Sequence, residues 1–359
     1  MKIVVVVPSL KKSGGLERVV SMIANDLSAY YKLKIVVLSL NDSSSFYELD
    51  KNVQVVGFNM PFRFKIFKLI PLFIWSVSKI IKIRPDKILT FGEGHNSFVI
   101  AFCLLLNIRN IYVFNRSSPT KSLSGFRGIV NPFFYKYSKY LIVQTNQAKN
   151  LLIKKYHKSN IKVIPNPISI VSDTIPMHKK EMKILSVGTL GGLKNQSLLI
   201  DFYASIHKSH NNWTLHFIGD GPKKKYLENK VKNLNLSDKI FFHGKIKRVS
   251  KFYNTSSIFA FTSLSEGFPN VLAEAMSHGC ACISFDCIAG PSDLIDDNHN
   301  GFLIKIGNND EYIQKLDNLM ENDELREKFS QNAVLKVNRF KRNDIIADLY
   351  NMLKQETIK

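Results

Sequence analysis

The chain has 359 residues, of which 45% are hydrophobic, and 50 Lys and Arg against 29 Asp and Glu give it a formal net charge of +21. That length exceeds one ordinary core and suits two domains of roughly 150 to 200 residues; the composition excludes a disordered or fibrous protein. The charge is lopsided: residues 1–180 hold 27 basic and 8 acidic side chains, net +19, while residues 181–359 hold 23 and 21, net +2. Such a field draws an anionic partner to the first half, whether nucleic acid, anionic lipid or a phosphorylated substrate. A lysine-rich codon bias is the alternative source.

The four cysteines, Cys103, Cys280, Cys282 and Cys287, lack the paired spacing of a zinc site. Cys280 and Cys282 sit in an apolar run and read as small buried residues in a reducing compartment. The apolar stretch of the N-terminus, MKIVVVVPSL, is too short for a signal peptide. No run reaches the roughly 18 apolar residues of a membrane-spanning helix.

In chain order, Ile3–Val7 is a β-branched run of the kind that forms a buried parallel strand. A Gly-rich turn follows, then a helical pattern over Leu16–Leu27 and strands at Ile35–Leu40 and Val53–Val56. Phe62–Ile83 interleaves Arg63, Lys65, Lys68, Lys79 and Lys82 with Phe, Ile, Leu and Trp75. That is the character of a helix lying on an anionic membrane surface, or of a surface helix packed on its own sheet, with a kink expected at Pro71. Next come a strand at Lys87–Thr90, a helix at Ser97–Leu106, a strand at Ile111–Phe114, a polar loop, a strand at Tyr140–Val143, a helix at Asn146–Tyr156 and a strand at Ile161–Ile164. Residues 166–181 carry Pro167 and Pro176 and little periodicity, which predicts a linker. The alternation then restarts with strands at Ile184–Val187, Trp213–Ile218, Ile240–Phe242, Ile258–Phe261 and Ala281–Ser284. Helices are expected at Asn195–His207, Lys223–Asn233, Pro269–His278, Asp310–Glu321, Asp323–Asn338 and Asn343–Lys354. This is an α/β protein with a first domain at 1–165, a linker, a second domain at 182–338 and a C-terminal helical segment at 339–359. Two such halves are expected to face each other across a cleft.

Four loops carry candidate chemistry. Ser13-Gly14-Gly15-Leu16-Glu17 follows the first strand and opens a helix, where glycines admit close approach and the helix start offers N–H groups; a tight turn is the alternative. Gly188-Thr189-Leu190-Gly191-Gly192-Leu193-Lys194-Asn195 holds the matching place in the second half and brings a lysine, as a diphosphate site requires. Gly219-Asp220-Gly221-Pro222 ends another strand and asks for no more than a turn. In Ser265-Glu266-Gly267-Phe268-Pro269-Asn270-Val271-Leu272-Ala273-Glu274, Pro269 suits a first helical turn and the N–H groups of Asn270 and Val271 face an anion. Glu274, one turn further in, can accept hydrogen bonds from vicinal hydroxyls such as those of ribose; alternatively Glu266 pairs with the helix dipole and Glu274 is a surface residue.

Over nearly its whole length the chain resembles the retaining glycosyltransferases of the GT-B fold, in the large family four that includes bacterial glycan-assembly enzymes. The resemblance rests on the ordered set of Gly14, Gly15 and Glu17; Gly188, Lys194 and Asn195; Gly219-Asp220-Gly221; the pair Glu266 and Glu274; and Ala289-Gly290-Pro291. It implies two Rossmann-like doubly wound domains, ribose held by Glu274, the donor sugar contacted by Glu266, and the diphosphate contacted by Lys194 and approached by Gly14 and Gly15. It also implies a final helix, Asn343–Lys354, crossing back to the first domain, and retention of anomeric configuration.

Two departures stand out. The family usually has arginine where this chain has Thr189, and a hydroxyl supplies no charge. Relatives often place His or Glu at the cleft edge of the first domain, where this chain offers Arg116, which can serve a donor or acceptor phosphate but not as a base, and His95. With no Asp-x-Asp motif, transfer without a metal or other cofactor is expected. The partners that the resemblance implies are a nucleotide-sugar donor, UDP-linked, and a glycan or polyprenyl-diphosphate-linked acceptor. The charge adds an anionic membrane surface, with the protein expected to be cytoplasmic and peripheral. The rival readings are a nucleotide-sugar epimerase of the same shape and a nucleic-acid-binding protein; the latter has charge in its favour but none of the usual motifs, so no nucleic acid is expected.

Overall fold

The computed structural model describes residues 1–12, 14–59, 69–156, 160–171 and 174–355. Its elements run β1 (Lys2–Val7), α1 (Gly15–Ala29), β2 (Lys34–Ser39), β3 (Gln54–Gly57), α2 (Leu69–Ile83), β4 (Lys87–Phe91), α3 (Glu93–Leu105), β5 (Ile111–Phe114), α4 (Pro119–Ser122), α5 (Gly125–Tyr135), β6 (Tyr140–Val143), α6 (Asn146–Tyr156) and β7 (Ile161–Val163). They continue with β8 (Glu181–Val187), α7 (Gln196–Ile206), β9 (Thr214–Ile218), α8 (Lys224–Asn233), β10 (Ile240–Phe242), α9 (Ser250–Thr255), β11 (Ser256–Phe261), α10 (Asn270–Ser277), β12 (Ala281–Phe285), α11 (Pro291–Leu294), β13 (Phe302–Ile304), α12 (Asn309–Glu321), α13 (Asp323–Val337) and α14 (Arg342–Lys354).

The strands form two parallel sheets, ordered β3-β2-β1-β4-β5-β6-β7 and β10-β9-β8-β11-β12-β13. Both orders step outward from a first strand and then reverse, the Rossmann arrangement, with topological switch points between β1 and β4 and between β8 and β11. Helices cover both faces, so β1, β4, β5, β11 and β12 are buried almost throughout and read as continuous apolar runs.

The chain divides into two compact units, Met1–Pro167 with Asn343–Lys359, and Ile168–Arg342. In the first, Ile345, Ile346, Leu349 and Leu353 of α14 enter the same core as Ile3, Val5 and Val37, and Tyr350 stacks on Tyr31 with centroids 4.0 Å apart. In the second, Ile184, Leu215, Phe217, Ile258, Tyr312 and Phe329 share the core on one face of the sheet. The segment entering this unit is pinned where it begins: Ile168 forms a bridge with Lys341.

Several sequence expectations change. The polar loop between β5 and β6 folds as α4 and α5; Gly125, Gly128 and Pro132 lower helix propensity there, and tertiary bonds from α3 to Asn131 and Tyr135 override it. Pro71 stands in the first described turn of α2, where a missing N–H costs little, and the helix continues to Ile83. Of Phe62–Ile83, the part carrying Arg63, Lys65 and Lys68 lies outside the described residues, as does Ser13. Pro269 caps α10 from outside it, with the helix starting at Asn270. The short elements α9, α11 and β13 carry too little pattern to read. All four cysteines are buried and unbridged, and burial pushes the Cys280 thiol up to about 11.

The loops after β8 and β9 are packed backbone to backbone. Leu190 donates to the Asp220 carbonyl at 3.1 Å and Lys223 to the Leu190 carbonyl at 3.0 Å. Gly219 has φ +134°, and a Cβ there would overlap the Gly188 carbonyl oxygen. Gly219→Ala should therefore cost about 2–4 kcal/mol, since strain and a backbone clash add. Chemical denaturation of the two proteins measures this; a loss below about 1 kcal/mol would mean that the two loops are free to separate.

Candidate active site

In the second unit the chemistry gathers at the carboxyl ends of β8 and β11, beside the switch point. The loop after β8 turns through Gly188, exposed Thr189 and a 3-10 turn at Gly192–Lys194. Asn195, left-handed at φ 53°, then starts α7; asparagine tolerates that conformation better than most residues. Gly188 leaves room for the lysine stem, since a Cβ on it would lie 3.3 Å from Lys194 Cε.

The segment after β11 grips this loop. Thr262 Oγ1 donates to the carbonyls of Lys194 and Asn195 at 3.0 and 3.2 Å, and the Leu264 N–H donates to the Leu193 carbonyl at 2.8 Å. This clamp brings Glu266 to Lys194: Nζ lies 2.5 Å from Oε1, which also accepts from Ser263 Oγ at 2.5 Å. The ammonium stands over the Phe261 ring, 5.1 Å from its centroid. The side chains are 25% and 12% exposed, so the pair is part-screened, and removing one partner leaves a desolvated charge behind. The two residues that the family resemblance assigned to diphosphate and donor sugar are thus in direct contact.

Glu274 lies in the second turn of α10, and its Oε2 accepts from the Tyr253 hydroxyl at 3.1 Å. Tyr253, on α9, was not among the sequence candidates. It is buried, and its own carbonyl accepts from the Lys180 ammonium, which also caps Asn254 and His278. Lys180 thus ties the ends of α9 and α10 together, fixing the phenol against Glu274. No local pattern in Lys251-Phe252-Tyr253 reveals that contact, which depends on a sequence separation of 21. At the start of α10 the Asn270 N–H turns back onto the Phe268 carbonyl at 3.0 Å; Val271 follows it in the first turn.

In the first unit, Gly14 caps α1 and Gly15 begins it at the end of β1. The Glu17 carboxylate lies across this start, where a Cβ on Gly14 would overlap it, so the loop tolerates no side chain there without moving Glu17. Half-buried His95 sits in the first turn of α3, after β4. Beside it Glu93 is buried, accepts from the Ser117 N–H at 3.1 Å, and has its carboxyl pushed up by that burial.

Arg116 follows β5. It is held over the rings of Phe91 and Phe114, at 5.7 and 5.2 Å, and donates through Nη1 to Asn166 Oδ1, which also accepts from Gln144 Nε2 at 2.7 Å. Its Nη2 is sealed and without a hydrogen-bond partner, and Arg116 pairs with no carboxylate among the described residues. Burial pushes the guanidinium down to about 9. A desolvated cation without a counter-ion is a costly feature that an anionic ligand would offset.

Among the described residues, one group brings three metal-binding atoms within 4.8 Å: His210, Asp317 and Glu321. It lies before β9, at the opposite end of the sheet from the glycine loops. A cavity of about 610 Å³ at that same end, walled by Met177, Asp323, Glu324, Arg326 and Lys328, mixes both signs of charge.

The chain was compared with known proteins. The family model "Glycosyltransferase Family 4" matches residues 13–171, and "Glycosyl transferases group 1" matches residues 172–336. The chain is 26% identical over 341 residues to the amylovoran biosynthesis glycosyltransferase AmsD of Erwinia amylovora, covering 92% of this chain and 93% of that one. It is also 26% identical over 361 residues to the N-acetylgalactosamine-N,N'-diacetylbacillosaminyl-diphospho-undecaprenol 4-alpha-N-acetylgalactosaminyltransferase of Campylobacter jejuni, covering 95% and 96%. Among solved structures, HepE of Anabaena in complex with UDP superposes with a TM-score of 0.85 at 19% identity, over 99% of this chain and all of that one. With one glycosyltransferase model on each Rossmann-like unit and relatives matched from end to end, the chain belongs to the GT-B glycosyltransferases.

Proposed function

We propose that the protein is a retaining transferase that moves a hexose or N-acetylhexosamine from a UDP-sugar to a lipid-linked glycan in surface polysaccharide or glycoconjugate synthesis. The observation that carries this is a pair of carboxylates each held by its own partner on one unit: Glu266 on the loop lysine and Glu274 on a buried tyrosine. In this reading Glu274 accepts hydrogen bonds from the ribose hydroxyls. Lys194 meets the diphosphate, whose charge grows as its bond to the anomeric carbon breaks, while the acceptor hydroxyl bonds to that carbon and passes its proton to the departing phosphate oxygen. Thr189 and the backbone from Gly188 to Gly192 shape the phosphate loop, and the start of α10 at Asn270 and Val271 adds dipole. Glu266 lies where it can hold the sugar hydroxyls, released from or shared with Lys194.

In the first unit Arg116 is assigned to a phosphate of the acceptor, and His95 and Glu93 to its sugar hydroxyls. The relatives' names support the acceptor class, since one of them acts on a diphospho-undecaprenol-linked glycan. The proposed reaction needs no metal, the lysine and the helix start serving in its place. The proposed location is the inner face of the cell membrane, held peripherally; no described helix is long and apolar enough to cross a membrane.

Lys194→Ala should lower kcat/KM at least about fivefold, equivalent to about 1 kcal/mol or more of transition-state stabilisation. Steady-state kinetics with the preferred donor checks this, and a variant with unchanged kcat/KM removes Lys194 from the chemistry.

Glu274→Ala should weaken UDP affinity by about tenfold, and Tyr253→Phe by a smaller factor that vanishes when Glu274 is already alanine. Calorimetric titration of the two single variants and the double variant measures the coupling. Equal UDP affinity in wild type and Glu274→Ala would contradict the ribose assignment.

A further inference from the structure

Helix α5 is anchored inward by two hydrogen-bonding side chains: Asn131 Oδ1 accepts from Ser97 Oγ at 2.8 Å, and the hydroxyl of buried Tyr135 accepts from Asn96 Nδ2 at 3.2 Å. Its outward face is apolar: Phe126, Ile129 and Phe133, at i, i+3 and i+7, are 80%, 77% and 55% exposed. The first two are the most exposed large hydrophobic side chains among the described residues. A helix of a water-soluble surface shows the reverse arrangement, and an apolar stripe that is kept outward marks something that covers it.

The stripe is part of a wider face. Helix α5 packs on α3, and α3 on α2, where Phe73 meets Phe98 and Phe102 at 5.7 and 6.2 Å. Helix α2 adds exposed Ile70, Ile74 and Ile81.

The electrostatics choose the partner. From Glu93 to Asp173 the sequence has eleven basic residues and no acidic one between them. Lys121 lies in α4, just before α5, Arg127 lies in the first turn of α5, and Lys136 at its end sets its ammonium over Phe133 and Tyr137, 4.5 and 4.9 Å from the ring centroids. Aromatic rings beside lysines that can lift their charge to the rim are the composition of a helix at a lipid interface. A second copy of the chain would set this basic face against itself in a two-fold contact, which like charges oppose.

We propose that α5 is the element that enters the headgroup layer of an anionic bilayer, with Phe126, Ile129 and Phe133 inserted and the flanking basic residues on the lipid phosphates. This rests on the peripheral-membrane part of the functional reading and assigns it to a segment whose local composition suggests only a loop.

The test uses the full chain and vesicles of phosphatidylcholine with and without phosphatidylglycerol. Wild type should sediment with the anionic vesicles and be released by salt. Phe126→Ser/Ile129→Ser/Phe133→Ser should lose at least tenfold in vesicle affinity while keeping its melting temperature and UDP affinity. Phe126→Trp should gain, over the native Trp75 and Trp213, emission that shifts to the blue with anionic vesicles and is quenched by brominated acyl chains. The added emission of Tyr226→Trp, on the second unit, should not respond. If the triple variant binds like wild type, or the emission added by Phe126→Trp stays unquenched, α5 is not the inserting element even though the membrane reading survives. If wild type ignores anionic vesicles at low salt, both fall. A concentration-dependent dimer that the triple variant abolishes would reassign the face to self-association.

Discussion

Lys194 and Glu266 stand 72 positions apart in sequence and 2.5 Å apart in the fold, and the loops at the carboxyl ends of β8 and β11 are organised around their meeting. The contact exists because β8 and β11 are neighbours at the switch point, so that the loops leaving them must share space. Thr262, Ser263 and Leu264 then satisfy the carbonyls of Leu193 and Lys194 and add a second donor to that of Asn195, which the Leu198 N–H already engages. The result is a cation held in place by a carboxylate before any ligand arrives. In the proposed reading, a diphosphate entering this loop would meet an ammonium already positioned but shared with a competitor, Glu266. Thr189 supplies no second charge, so the balance between Glu266 and phosphate on one ammonium would set how strongly the loop holds it.

The fold and the loops were readable because their requirements are local. Parallel strands buried on two faces demand apolar runs, and glycines directly after such strands mark places where the backbone turns tightly or another group comes close. Gly188 and Gly219 meet both conditions through their contacts with Lys194 and with each other. What stayed hidden depends on contacts between distant segments. Tyr253 carries no signal in its own neighbourhood, and its role appears only when Lys180 and His278 bring α9 against α10. Helix α5 was hidden for the opposite reason: its two glycines and its proline argue locally for a loop, and the hydrogen bonds from Asn96 and Ser97 prevail. The Asn270 N–H, expected to face an anion, is engaged by the Phe268 carbonyl because Pro269 stays outside the helix.

The two units use charge differently. In the second, acidic and basic groups nearly balance and meet in pairs such as Lys230 with Asp201 and Lys336 with Asp296. In the first, the excess of basic groups has no acidic complement within the chain. Arg116 is the extreme case, stacked on two aromatic rings and joined to an amide oxygen. A part-buried cation that pairs with no carboxylate among the described residues is costly when no anion compensates. An acceptor with a phosphate at one end and an apolar tail would meet both peculiarities of this unit, its unpaired guanidinium and its outward apolar helix.

In the proposed reading the loop lysine and the carboxylate of α10 receive one nucleotide between them. A crystal structure of the full chain grown with UDP tests it most directly. Ribose hydroxyls should lie within hydrogen-bond reach of the Glu274 carboxylate, with the Tyr253 hydroxyl still in place behind it and the diphosphate on the Lys194 ammonium. UDP seated elsewhere, or ribose turned away from Glu274 while Lys194 keeps Glu266 as its sole partner, would contradict it.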